Sequence, residues 1–179
     1  MFCSGSRVGI YEDYKVRLFD AASGKQVGKD IGDAQLWVGQ TTSSPDGEVF
    51  ATVVSRSNMD QAIRFWRTLD GRMVSELLPE WTKGGLSLKN GGFTPDNRRF
   101  VTPFWPDGTT IKVWDVKAGK LETTLFGDPG MPIIFTHPNN QWVIASGGGR
   151  TLVYTLDPNE LTKRLKDVVA QYDGAADTK

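Results

Sequence analysis

The sequence predicts an all-β fold made of repeated four-stranded antiparallel units, and three observations carry that expectation. First, an alternating apolar segment recurs four times, as Val16-Arg17-Leu18-Phe19-Asp20, Ile63-Arg64-Phe65-Trp66-Arg67, Ile111-Lys112-Val113-Trp114-Asp115 and Leu152-Val153-Tyr154-Thr155-Leu156. Second, a proline turn precedes three of them: Ser44-Pro45-Asp46-Gly47, Thr94-Pro95-Asp96-Asn97 and His137-Pro138-Asn139-Asn140. Third, a glycine turn follows three: Ala22-Ser23-Gly24-Lys25, Leu69-Asp70-Gly71-Arg72 and Lys117-Ala118-Gly119-Lys120. The markers keep one phase over a period of about 40–50 residues, which is the signature of stacked supersecondary units.

Each unit reads as strands in order. After the proline turns come VFATVV (49–54), FVTPF (100–104) and WVIA (142–145), whose β-branched and aromatic residues suit a pleated surface. The alternating segments follow. A further strand comes next, Met73–Leu78 in one unit and Leu121–Leu125 in another. Four short strands per 40–50 residues is the period of a propeller blade, whose apolar faces must be buried against neighbouring blades. With 20 glycines and 9 prolines in 179 residues, long helices are disfavoured and turns abound.

Composition narrows the functional classes. Lys plus Arg equals Asp plus Glu at 21 each, which excludes a generic polyanion binder, although residues 61–120 carry an excess of basic groups. The single cysteine, Cys3, excludes an intrachain disulfide. His137 is the only histidine, so no histidine cluster can hold a metal. No run of 18 apolar residues exists, and no basic or apolar leader opens the chain, which points to a cytoplasmic protein. Gly147-Gly148-Gly149-Arg150 reads as a hairpin turn, since a phosphate cradle needs a helix directly after it. Ser23-Gly24-Lys25 lacks the spaced first glycine of a nucleotide-binding loop. No catalytic, cofactor-binding or metal-binding residue is expected.

The motifs resemble the WD-repeat β-propeller family, with the bacterial members closest in style. Trp114-Asp115 is its signature dipeptide, and Ser44-Pro45-Asp46-Gly47 matches its inner turn. Asp60 and Asp13 stand where the family keeps a turn aspartate. Departures occur: no Gly-His pair precedes any inner strand, and Trp-Asp becomes Phe19-Asp20, Trp66-Arg67 and Tyr154-Thr155. The four-member hydrogen-bond network of the family is therefore incomplete in every unit. The resemblance covers residues 2–156 and implies structural anchors at Phe19, Asp20, Asp60, Trp66, Trp114 and Asp115.

The resemblance also sets the domain plan. Residues 1–156 form a propeller segment of about 3–4 blades in an incomplete ring, and residues 157–179 a C-terminal helix and disordered tail. Complete blades are expected over 34–78 and 85–125, with Phe2–Ser6 ending a second strand and the last unit ending after its third. Family members usually close with about seven blades. The chain thus resembles the C-terminal part of a longer propeller, its missing blades supplied by the rest of that chain or by oligomerisation. The faces left open would carry Val16, Leu18, Leu152 and Tyr154. Asp157-Pro158-Asn159-Glu160 supplies a capping box, after which Leu161, Leu165, Val168, Val169 and Tyr172 recur at helical spacing to about 171.

Function is expected on one rim, where loops between strands two and three and between blades emerge together. They hold Arg56, Met59, Trp81, Lys83, Trp105, Phe126, Met131 and Arg150, residue types enriched at interface cores. The expectation is a non-catalytic scaffold that binds a protein or peptide, not nucleic acid or membrane. The alternative is the regulatory propeller of a larger enzyme, for example kinase- or protease-fused, with its catalytic domain upstream.

Overall fold

The computed structural model describes residues 2–4, 6–32, 36–56, 61–77, 88, 91–103, 110–126, 133–136, 141–147, 150–157, 159–160 and 162–163. Fifteen strands form four antiparallel sheets in chain order. The first holds β1 (Phe2–Ser4), β2 (Arg7–Glu12), β3 (Lys15–Asp20) and β4 (Gln26–Ile31). The second holds β5 (Leu36–Ser43), β6 (Val49–Arg56), β7 (Gln61–Arg67) and β8 (Met73–Leu77). The third holds β9 (Gly92–Phe93), β10 (Arg99–Pro103), β11 (Thr110–Asp115) and β12 (Lys120–Phe126). The fourth has three described strands, β13 (Ile133–Thr136), β14 (Trp142–Gly147) and β15 (Arg150–Thr155). In each sheet the strands follow one another in order, as in a propeller blade.

Two expectations change here. Phe2–Ser4 is a first strand, not the end of a second, so three sheets rather than two have four strands. The hidden element is the hairpin pairing Glu12 with Lys15. Its two turn residues, Asp13 and Tyr14, have φ of 50° and 60°, the left-handed pair of a type I′ turn. Neither is glycine or asparagine, so the usual hairpin signal is missing. The fourth repeat is also shifted by one. Tyr154 pairs with Val143 as Trp114 pairs with Phe100 and Trp66 with Phe50, so that repeat begins at Thr151 rather than Leu152.

The core lies between sheets, and strand alternation assigns each residue to one side. Val16, Leu18 and Ile31 of the first blade bury against Phe50, Val54, Ala62 and Trp66 of the second. Ala51, Val53, Ile63, Phe65 and Leu77 bury against Phe93, Phe100, Trp114 and Val116 of the third. Val101, Ile111 and Val113 bury against Val143 and Ala145 of the fourth, with Tyr154 packed alongside. Phe65, Phe93 and Phe100 meet edge to face, with centroids 4.9–5.7 Å apart. Val16 and Leu18, expected on an open face, are therefore fully buried. Leu152 is half-buried and Tyr154 partly buried in the third interface. The correction follows from parity: the open face of the first blade carries the opposite set, Val8, Ile10 and Phe19.

Trp66 and Trp114 are the large anchors of these interfaces, and both are buried. A buried indole N–H must find an acceptor. Trp66 Nε1 donates to Thr52 Oγ1 at 2.8 Å, and Trp114 Nε1 donates to Thr102 Oγ1 at 2.9 Å. Both threonines are themselves buried on the second strand of their blade. A cation sits over each ring from two residues before it, Arg64 at 6.0 Å and Lys112 at 5.7 Å. Next to each tryptophan the outer hairpin is bulged, between Phe65 and Trp66 and between Val113 and Trp114.

After β15, Asp157 caps a helical start: Asn159 N–H donates to its Oδ1 at 2.8 Å. Asn159, Glu160, Thr162 and Lys163 are helical, and the remainder of the expected helix lies outside the described residues. Among the described residues no helix is long and apolar enough to cross a membrane.

The buried tryptophans give the first test. In urea denaturation Trp114→Ala lowers the unfolding free energy by about 3–5 kcal/mol, and Thr102→Val, which orphans the indole N–H, lowers it by about 1–3 kcal/mol. Unchanged midpoints in both would mean that the two side chains are not buried together.

Candidate functional site

The strand registers place two unlike rims at opposite ends of the sheets. One rim carries the turns between strands one and two and between strands three and four. In the second blade, Ser44 Oγ donates to Asp46 Oδ1 at 2.6 Å and accepts from Val49 N–H at 3.0 Å, while Asp46 Oδ1 also accepts from Glu48 N–H at 2.9 Å. In the third blade, Thr94, Asp96, Arg98 and Arg99 repeat the arrangement at 2.6, 3.1 and 3.0 Å. Gly47 and Asn97 occupy the left-handed position of each turn, at φ 75° and 61°.

The other turns on this rim use an aspartate as a cap. Asp20 Oδ1 accepts from Ser23 N–H at 2.8 Å, and Asp115 Oδ1 accepts from Ala118 N–H at 2.6 Å. The second blade has Arg67 at that position, and Asp70 takes over. Asp70 accepts from Arg72 N–H at 3.1 Å and from Arg67 Nε at 2.9 Å. Hydrogen bonds from Arg67 hold the Asp70 carboxyl down to about 2, and bonds from Ser23 lower Asp20. Of the expected anchors, Asp20 and Asp115 are thus turn caps and Trp66 and Trp114 core anchors. Phe19 is half-buried on the open face of the first blade, and Asp60 lies outside the described residues.

These turns also press on the preceding blade. A Cβ on Gly119 (φ +64°) would lie 2.9 Å from the Glu76 carbonyl oxygen, and one on Gly28 (φ +73°) 2.8 Å from that of Asp70. Ser75 Oγ donates to the Val116 carbonyl across the same seam. A groove of about 420 Å3 opens on this rim, lined by Arg7, Asp46, Glu48, Arg67, Leu69 and Val74 among others. Its arginines are committed inward, Arg7 to Asp20 and Arg67 to Asp70.

The opposite rim carries the connections between strands two and three and between blades. Arg56 ends β6, Phe126 ends β12 and the exposed Arg150 begins β15. The three expected loop residues are therefore strand ends, held in pairs with Leu36, Thr110 and Gly147. They lie at the same end of their sheets. Met59, Trp81, Lys83, Trp105 and Met131 fall outside the described residues, in connections 57–60, 78–91, 104–109 and 127–132. Tyr14, in the Asp13-Tyr14 turn of the first blade, joins this rim and is exposed; its hairpin lacked the turn signal that would have placed it here.

Four of the ten basic side chains over 61–120 pair with three carboxylates. Arg64 pairs with Glu76, Arg67 and Arg72 with Asp70, and Arg99 with Glu122 at 2.6 Å. Among the described residues no group of three or more His, Cys, Asp and Glu is placed to hold a metal ion.

The architecture has a counterpart among solved structures. The β-propeller domain of Cps50 (Swd1) from Myceliophteria thermophila is similar with a TM-score of 0.61 at 13% identity, over 84% of this chain. The chain spans 50% of that one. At this identity the likeness shows the fold, a β-propeller. No protein-family model matches the chain, and no curated protein does.

The tight-turn rim generates two tests. Gly24 and Gly119 hold the same turn position with φ of +65° and +64°, but a Cβ on Gly24 would meet nothing within 4 Å. Gly24→Ala therefore costs only the left-handed strain, about 1–2 kcal/mol, and Gly119→Ala costs more in the same denaturation assay. Equal losses would remove the blade-to-blade contact. Asp70 has a folded pKa below its unfolded value, so its contribution is present above about pH 4 and is lost as the pH falls toward about 2. In melts across that window, Asp70→Asn loses less stability than the parent; identical slopes would dismiss the pairing.

Proposed function

We propose that the chain is a non-catalytic interaction scaffold of WD-repeat type, whose long-loop rim presents Arg56, Met59, Trp81, Trp105, Phe126 and Arg150 to a protein or peptide. The observation that carries this reading is the asymmetry of the rims. On one, polar side chains are used up in closing turns only a few residues long. On the other, the connections 78–91, 104–109 and 127–132 are six residues or longer and hold Trp81, Trp105 and Met131, and such loops on a rigid scaffold are where binding residues concentrate. The WD-repeat assignment is supported by the Trp–Thr bonds in two blades and the aspartate caps at Asp20 and Asp115. The internal pairing of Arg64, Arg67, Arg72 and Arg99 supports a protein partner over nucleic acid.

The test is recovery of a partner by pull-down, followed by titration of rim variants. Trp81→Ala or Trp105→Ala weakens binding about thirtyfold, equivalent to about 2 kcal/mol, without lowering the melting temperature. His137→Ala, between β13 and β14 in the chain, leaves binding unchanged. Binding indifferent to both tryptophans overturns the rim assignment, and an activity abolished by His137→Ala overturns the non-enzyme reading.

A further inference from the structure

The two terminal sheets each present one face built like the buried faces inside the array. On the first blade this face carries the cross-strand pairs Val8–Phe19 and Ile10–Arg17. By register, Phe19 and Val8 stand where Trp66 and Phe50 stand in the second blade. The Arg17–Asp30 ion pair matches the Arg64–Glu76 pair in the same way. Where the neighbouring blade covers it, that pair is 15% and 19% exposed; on the open face it is 32% and 32% exposed. Ile10 is 39% exposed. The face thus has the residues of an inter-blade face without its cover.

The fourth blade carries the opposite type of face. Val143 and Ala145 are buried toward the third blade, so the pair Ile144–Val153 points the other way. Val153 stands where Val113 and Phe65 stand, both fully buried by a following blade, yet it is 54% exposed. One chain therefore holds both halves of the interface it repeats internally, and their exposure shows that they do not meet within it.

We propose that a second copy of this chain completes the ring, the fourth blade of each copy packing on the first blade of the other. The contact is heterologous, and two copies related by a half-turn about the ring axis close it with two identical seams. The result has about eight blades, within the range that propellers adopt. Charge does not oppose it: Arg17 is neutralised by Asp30 and by Glu12 on its own blade, and the Ile144–Val153 pair that meets it is uncharged.

The experiment is light scattering of the 179-residue chain over a wide dilution series, with circular dichroism to establish strand content. A folded species of twice the 19.8 kDa chain mass is expected. Ile10→Asp and Val153→Asp each return it to single-chain mass. Because either substitution could unfold a blade, chains carrying Cys3→Ser with Ile10→Cys are also mixed with chains carrying Cys3→Ser with Val153→Cys. A short bismaleimide then links the two kinds of chain to each other. A folded species of single-chain mass, with the face left for another occupant such as a preceding stretch of a longer chain, overturns the proposal. So does a ladder of larger species, which would mean that the seam does not close, or a dimer in which these two positions fail to cross-link.

Discussion

Everything in this molecule depends on burial of one sheet face against the next. A four-stranded sheet has two apolar faces, and neither can be covered by its own strands. Alternation along each strand divides the residues cleanly: Ile63 and Phe65 face the third blade, while Ala62 and Trp66 face the first. Phe50, Phe65, Phe93 and Phe100 fill the first two interfaces together with the two tryptophans. Their one polar atom is satisfied within the same blade by Thr52 or Thr102, so the ring can be buried without an orphaned donor.

That stacking rule also distributes polarity. Side chains at one end of the sheets close short turns, and these turns brace the seam to the previous blade, the Asp70 turn against Gly28 and the Val116–Gly119 turn against Ser75 and Glu76. Ion pairs such as Arg64–Glu76 and Arg99–Glu122 tie neighbouring strands. The other end carries the longer connections, of which 78–91 returns Leu88 to the core between the second and third blades. Fold and function are separate questions for this architecture.

Much of the fold was legible because turn chemistry and alternation repeat in phase. Pro95 with Asp96, Gly119 and the IKVW pattern fall where the strands and turns of the third blade lie. The Glu12–Lys15 hairpin was not legible, because Asp13 and Tyr14 adopt a left-handed turn that their residue types do not announce. The one-residue shift at Tyr154 escaped notice because Leu152 and Val153 are both apolar, and only pairing with Val143 sets the frame. Thr52 and Thr102 were missed because a threonine in a strand is unremarkable until an indole points at it. Of the expected rim residues, Arg56, Phe126 and Arg150 belong to strand ends rather than loops.

The sequence by itself determined the repeat, the strand order of the second and third blades and the turns marked by proline or glycine, since these follow from local propensity and a period of two. Tertiary structure decided which face each residue serves. Val16 and Leu18 read alone could belong to an open or a covered face, and only contact with Trp66 and Phe50 shows them covered. It likewise decided that Asp70 replaces the missing cap at Arg67, because a hydrogen bond depends on where two chains converge and not on the residue expected there. Periodicity is a property of one strand; burial is a property of two sheets.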